Sequence, residues 1–228
     1  MDIGDNFSDS FDYAKKLFSD GGRLLILIIL DIIPVVNWIV VGYASRVLRE
    51  APGSKSPPTL EKYGDLFVEG AKVFFASLIY MIIPLILIGL GMASVFSAMF
   101  MGGLMTGTMN PMAAGGMVLL GGTGVVLLLA GAILAFLALI VLGAAVAHMI
   151  KEEKFGKAFA FGEILGVIGG IGWGKYLAWV VLVAIISVVV GVIAGAIPFV
   201  GWLIEVIIAP AVAVFFFRSL GILYSDKK

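Results

Sequence analysis

LLILIILDIIPVVNWIVVGYASRV (24–47) can be read in two ways, and the choice threads the whole chain. Its first part is apolar apart from Asp31 and Asn37, which flank Pro34. As one kinked helix the tract is long enough to cross a bilayer, since about 20 apolar residues span about 30 Å of hydrocarbon. As two arms folding back at Pro34 it enters and leaves by the same face. Arms of about ten residues reach only about 15 Å at about 1.5 Å per residue, so such a hairpin ends near mid-membrane. Its bent backbone then has to be covered by protein or water.

Composition places the chain in a membrane. Of 228 residues, 61% are hydrophobic and 13% charged, and the mean hydropathy is +1.15. A soluble domain has about 45–50% apolar and about 25% charged residues. VVLLLAGAILAFLALIVLGAAVA (125–147) and YLAWVVLVAIISVVVGVIAGAI (176–197) each meet the length for a transmembrane helix. The N-terminus lacks a basic segment followed by an apolar one, so insertion without a cleaved signal is expected. The absence of cysteine excludes disulfides, thiolate metal sites and cysteine nucleophiles. A net charge of zero offers no basic surface to nucleic acid.

Charge placement then selects the hairpin. With 24–48 as a re-entrant or tight hairpin and full spans at about 73–98, 117–147 and two within 175–219, all 15 basic residues share one side. By the positive-inside rule that side is the cytoplasm. A full crossing at 24–48 strands Lys15, Lys16 and Arg23 outside. The expected fold is therefore an all-α integral membrane protein of the cell membrane, with four transmembrane helices plus the N-terminal hairpin, N-in and C-in. It is a single membrane domain over 1–228. Residues 1–23 form an interfacial helix, 49–72 a linker and interfacial helix, 99–116 an outer loop, 148–174 a second linker and interfacial helix, and 220–228 a tail. APGSKSPPTLEKYG (51–64) reads as a soluble surface loop.

The three interfacial helices come from a repeated pattern. Phe7/Phe11/Ala14, Tyr63/Phe67/Gly70 and Phe155/Phe159/Gly162 share a spacing of 0, 4 and 7, which is one helical face. The six aromatic residues are candidate interfacial anchors. Each unit leads to an Ile-Pro, at 33–34, 83–84 and 197–198, and IPVVNW (33–38) parallels IPFVGW (197–202). This reads as three diverged copies of a helix feeding a membrane hairpin or span.

Few residues here carry chemistry. An acid at membrane depth is a functional hypothesis by default, because its ionised form costs at least a few kcal/mol there. Asp31, Pro34 and Asn37 form a candidate polar site in which carbonyls freed at the proline help hold a cation or proton, as in broken transporter helices. The plainer alternative pairs Asp31 with Arg23 or another basic group, or keeps it protonated, while Asn37 bonds the freed backbone. MFMGGLMTGTMNPMAAGGM (99–117) holds six methionines and no charge. Thioethers select Cu(I), which makes Met101, Met105, Met109 and Met112 a candidate Cu(I)/Ag(I) set. Glycine and proline disfavour a helix there, and no His or carboxylate joins them, so apolar packing or partner contact is the favoured reading. No resident cofactor is expected. His148, the only histidine, reads as an anchor at a helix C-terminus. No Ser-His-acid arrangement or phosphate-binding loop is present, so catalysis is not expected. Ser187, Gly191 and Gly195, and Gly131 with Ala135, form small-residue stripes that mark helix packing.

FDYAKKLFSDGGRLLILIILDIIPVVNWIVVGYASRVLRE (11–50), followed by YGDLFVEGAKVFFASLIYMIIP (63–84), resembles a domain-of-unknown-function family of small polytopic membrane proteins found chiefly in archaea. The elements that carry the likeness are the Tyr-Ala-Lys start, Ile-Pro-Val-Val-Asn-Trp, Gly42-Tyr43, Arg46-Val47-Leu48-Arg49 and Leu66-Phe67-x-x-Gly70. They cover about the first 90 residues and do not include the Met-rich stretch. The resemblance implies a location and a fold pattern, and no catalytic residue. Two functions follow. One is a non-catalytic scaffold or accessory subunit whose partners are membrane lipid and either copies of itself or a larger membrane complex. The other is a small channel or carrier using Asp31 and Asn37.

Overall fold

At Pro34 the chain turns back. In the computed structural model, which describes residues 1–104, 111–197 and 201–227, helix α1 (Ile3–Lys15) and a short 3-10 turn lead into α2 (Gly21–Ile32), and α3 (Trp38–Glu50) returns. The Asn37 amide closes the turn on the Ile33 carbonyl at 3.0 Å, and Val35 at its tip has φ 71°, rare for a β-branched residue. With 12 and 13 residues, α2 and α3 are about 18 and 20 Å long at about 1.5 Å per residue, well short of about 30 Å of hydrocarbon.

Four further helices are long and apolar enough to cross a membrane: α4 (Tyr63–Leu104), α5 (Pro111–Lys151), α7 (Trp173–Gly195) and α8 (Gly201–Ser225). Helix α6 (Phe161–Ile171) precedes α7. The described residues thus hold eight α-helices.

The repeated units take three different local forms. The second is not a separate interfacial helix. Tyr63, Phe67 and Gly70 lie in the first turns of α4, since nothing between 63 and 72 breaks the helix before the apolar run begins. The third is split into a 3-10 turn (Phe155–Phe159) and α6, so Phe155, Phe159 and Gly162 do not share an α-helical face. Only the first unit is a separate α-helix, and α1 buries Asn6, Ser10, Tyr13 and Ala14 while leaving Phe11 exposed. Of the Ile-Pro pairs, the first turns the α2–α3 hairpin and the second lies inside α4 at Pro84. At the third, Ile197 ends the described stretch after α7, and Pro198 is outside the described residues.

The chain divides into two units, residues 1–76 with 141–228, and residues 77–140. In the first, α8 is the hub. Its Ala211 and Val214 pack with Tyr13 and Ala14 of α1, Leu17 of the first 3-10 turn, Leu27 of α2, Val40, Tyr43 and Val47 of α3, and Leu66 of α4. Helix α3 meets α4 backbone to backbone. A Cβ on Gly42 would sit 1.8 Å from the Leu66 carbonyl oxygen, and one on Gly70 would sit 1.8 Å from that of Trp38. Trp38 fills the adjoining space against Phe67 and Phe74, with ring centroids at 5.3 and 4.9 Å. In the second unit, the two helical arms approach at Gly91 and Gly124, where a Cβ on either residue would lie 2.8 Å from the other's carbonyl oxygen. The Ser94 hydroxyl donates to the Leu120 carbonyl at 2.9 Å.

These approaches admit no side chain. Gly42→Ala is expected to destabilise the protein by roughly 1–3 kcal/mol through overpacking, read as thermal unfolding in detergent. Gly89→Ala, at a helical glycine with nothing within 4 Å, is the control and is expected to be neutral or stabilising.

Candidate functional site

The polar centre of the first unit is built around Arg218, one charge in the run FFFRSLGIL (215–223) of α8. It is 3% exposed. Its Nε donates to the Asp9 carboxylate at 2.9 Å, a terminal nitrogen donates to the Pro52 carbonyl at 3.1 Å, and the guanidinium lies 4.4 Å from the Tyr13 ring centroid. The Asn6 amide donates to the Ser219 carbonyl at 3.0 Å and the Trp179 indole to the Ser219 hydroxyl at 2.7 Å, which ties α1 and α7 to the same turn of α8.

The segment after α3 is no free linker. Pro52, Pro57 and Pro58 have no N–H, and the loop carbonyls have no ladder to join. Cations and phenols supply the donors instead. Lys151 donates to the carbonyls of Arg49 and Ala51 at 3.0 and 2.6 Å. Arg23 donates to those of Pro57 and Pro58, both at 2.9 Å, and Lys16 to that of Lys55 at 2.6 Å. Tyr13 and Tyr43 donate to Ser56 and Pro58, again both at 2.9 Å. Several basic residues counted for topology therefore hold this loop.

A second cluster joins the ends of α5, α6 and α8. His148 is buried and is no exposed anchor. Its Nδ1 lies 2.8 Å from the Tyr224 hydroxyl and its Nε2 lies 2.8 Å from a Glu163 carboxylate oxygen. Lys227 donates to Tyr224 at 2.8 Å, and Lys157 donates to Glu163 at 2.6 and 2.7 Å. Both ring nitrogens of His148 thus have a partner on another helix, Tyr224 on α8 and Glu163 on α6. Lys157 first, and His148 second, hold the Glu163 carboxyl below the usual carboxylate range, while Glu163 raises the Lys157 ammonium.

Asp31, Pro34 and Asn37 sit together at the hairpin turn. Arg23 does not reach Asp31, because it is engaged by the Asp20 carboxylate at 2.6 Å and by the loop carbonyls. Asp31 is half-buried and has no ion pair or hydrogen bond among the described residues, and the Asn37 side chain caps nothing. Met101 is exposed near the end of α4. Met105 and Met109 lie outside the described residues, as does the side chain of Met112, so the soft-metal set has no described geometry.

Gly131 meets Ile88 of α4, where a Cβ would lie 2.7 Å from its side chain, and Ala135, one turn on, is half-buried. On α7, Gly191 and Gly195 have nothing within 4 Å, and the Ser187 hydroxyl turns back to the Val183 carbonyl at 2.9 Å. Among the aromatic residues, Phe7 stacks on Phe215 at 5.6 Å and Phe67 packs on Trp38, while Phe11, Tyr63 and Phe155 are exposed. Phe155 and Phe159 meet edge-on at 5.5 Å.

Sequence reading passed over Arg218, Asp9 and the His148 cluster. A lone arginine within an apolar helix was the available signal. Its partners lie 209 and 166 residues away and have no local signature.

The architecture is that of a polytopic α-helical membrane protein with four candidate spans. Residues 24–199 match the family described as a protein of unknown function, DUF4013, and the chain belongs to it. No curated protein and no solved structure matches the chain. The match begins after Tyr13-Ala14-Lys15 and runs well past residue 90, with the Met-rich stretch inside its limits.

Asp9 is 44% exposed, so water rescues part of its pair with Arg218. Arg218→Met is therefore expected to cost about 1.5–3 kcal/mol, the range for hydrogen bonds to a charged group, measured by urea or thermal unfolding, with a larger loss for Asp9→Asn, which leaves the buried guanidinium without its counter-charge. The lowered Glu163 carboxyl contributes stability above its unfolded value of about 4.3 and loses it as pH falls through the folded value. The raised Lys157 contributes below about 10.4 and loses it as pH rises through its own folded value. The Tm difference between the parent and Glu163→Gln is thus expected at neutral pH and closes in acid. A difference that persists to about pH 2 contradicts the pairing.

Proposed function

We propose that the protein is a non-catalytic scaffold or accessory subunit of the cell membrane, which assembles with copies of itself or with a larger membrane complex in contact with lipid. The observation that carries this reading is the α7 face of Ser187, Gly191 and Gly195. Glycines at helix crossings, Gly42, Gly70, Gly91 and Gly124, lie against a neighbouring backbone, whereas Gly191 and Gly195 meet nothing within 4 Å among the described residues. In lipid, small residues let helix backbones approach closely, and association rests on such packing. The engagement of Arg23, Lys151 and Arg218 with loop carbonyls also supports it, because these charges hold the fold together.

A cytoplasmic location for both termini accompanies this reading. The Met1 amino group and Lys175 both meet Asp226, at 3.2 and 2.7 Å, which holds the two ends of the chain together. The positive-inside rule assigns that end to the cytoplasm.

One observation favours a carrier as the second reading. Asp31 has no ion pair or hydrogen bond among the described residues, and an acid at membrane depth marks ion and proton pathways.

Native mass spectrometry from nanodiscs tests the first reading. The parent is expected as an assembly, and Gly191→Leu with Gly195→Leu as a monomer. At an exposed face the change in stability should stay within about 0.5 kcal/mol. If Asp31→Asn abolishes a proton or solute flux in liposomes while assembly is unchanged, the carrier reading replaces it.

A further inference from the structure

A groove of about 360 Å³ lies where α1 crosses the pair α7 and α8. Phe11 and Phe18 form one wall, Ile186 and Val190 of α7 a second, and Ile208 and Phe215 of α8 the floor. Lys15 is the one charged residue that lines it. We propose that this groove binds an anionic phospholipid, with an acyl chain between α7 and α8 and the phosphate on the Lys15 ammonium. The proposal specifies the lipid contact left general above, and it rests on residues that the assembly face does not include.

Charge complementarity selects the occupant. Three cations lie near the end of α1, and two are engaged: Lys16 on the Lys55 carbonyl at 2.6 Å and Arg23 on Asp20 at 2.6 Å. Lys15 has no ion pair or hydrogen bond among the described residues. Lys15 is exposed and the groove lining is almost wholly apolar, so its aliphatic stem borders the groove while its head stays in reach of the polar layer. A phospholipid fills the apolar walls and supplies an anion in one molecule. Phe11 and Phe18, 62% and 51% exposed, are left for acyl chains to cover.

The test uses the purified full-length protein, delipidated in detergent and titrated with dioleoyl phosphatidylglycerol or dioleoyl phosphatidylcholine, with bound lipid counted by native mass spectrometry. One lysine near a membrane surface corresponds to a preference of about fivefold for the anionic lipid. Lys15→Gln is expected to remove that preference without changing phosphatidylcholine binding, and Lys15→Arg to keep it. Val190→Phe, which fills the groove, is expected to reduce binding of both lipids. Equal binding of the two lipids by the parent overturns the proposal, as does a preference that survives Lys15→Gln. Dissociation of an oligomer on Val190→Phe, with lipid binding unchanged, assigns the groove to a second copy and also overturns it. Should Val190→Phe fail to fold, the exposed Lys15 variants decide the matter. Loss of assembly in the α7 glycine variants leaves this result unaffected, so the two readings fail separately.

Discussion

A guanidinium buried in an apolar helix must be met by acceptors, and the acceptors Arg218 finds determine how the first unit closes. Asp9 comes from α1 and the Pro52 carbonyl from the loop after α3, while Tyr13 lies beneath the charge. Removing one partner from such a group leaves an uncompensated charge, so the three segments are held jointly. The same logic extends outward from Arg218. A proline-rich loop has few donors of its own, and its carbonyls draw Lys16, Arg23 and Lys151 from three separate elements. The α2–α3 hairpin hangs from this frame at both ends, with Arg23 fixed at the start of α2 and Tyr43 and Arg49 fixed along α3.

Close glycine contact is the second constraint. Gly42 and Gly70 bring α3 against α4 with no room for a methyl group, and Arg49 bonds Glu69 at 2.6 Å beside them. Gly42 and Arg49 of α3 meet Leu66 and Glu69 of α4 at this one joint. Their spacing in sequence follows from two antiparallel helices in register there, with Gly42 opposite Leu66 and Trp38 opposite Gly70. The family match includes the joint and leaves out α1.

Much of this was legible in the residues. Apolar length predicts the four long helices, and the placement of basic residues against Pro34 predicts a hairpin in place of a single kinked span. The limits of α4 were not legible, because an amphipathic segment and an apolar one differ in what they bury and not in backbone geometry. The repeat at 155–162 was misleading, since spacing alone does not distinguish one α-helix from a 3-10 turn followed by another helix. The polar centre was the least accessible part. His148, Glu163 and Tyr224 lie on three helices, and the carbonyls that receive Arg23, Lys151 and Arg218 have no side-chain identity to read. Of the candidate site, the hairpin triad is brought together as its spacing requires, while the methionine set falls outside the described residues.

On the threading proposed above, the chain enters and leaves through one end of the first unit, with the α2–α3 hairpin stopping short of the other. The protein has no cysteine, so single cysteines can be placed without removing native ones. Labelling with a membrane-impermeant maleimide in sealed vesicles of each orientation is the most direct measurement. Cysteines at Ser8, Ser54 and Gly156 are predicted to react from one side, those at Met101 and Ile197 from the other, and Val35 from neither. Reaction of Val35 from the side of Met101, or of Ser8 and Ser54 from opposite sides, contradicts the account.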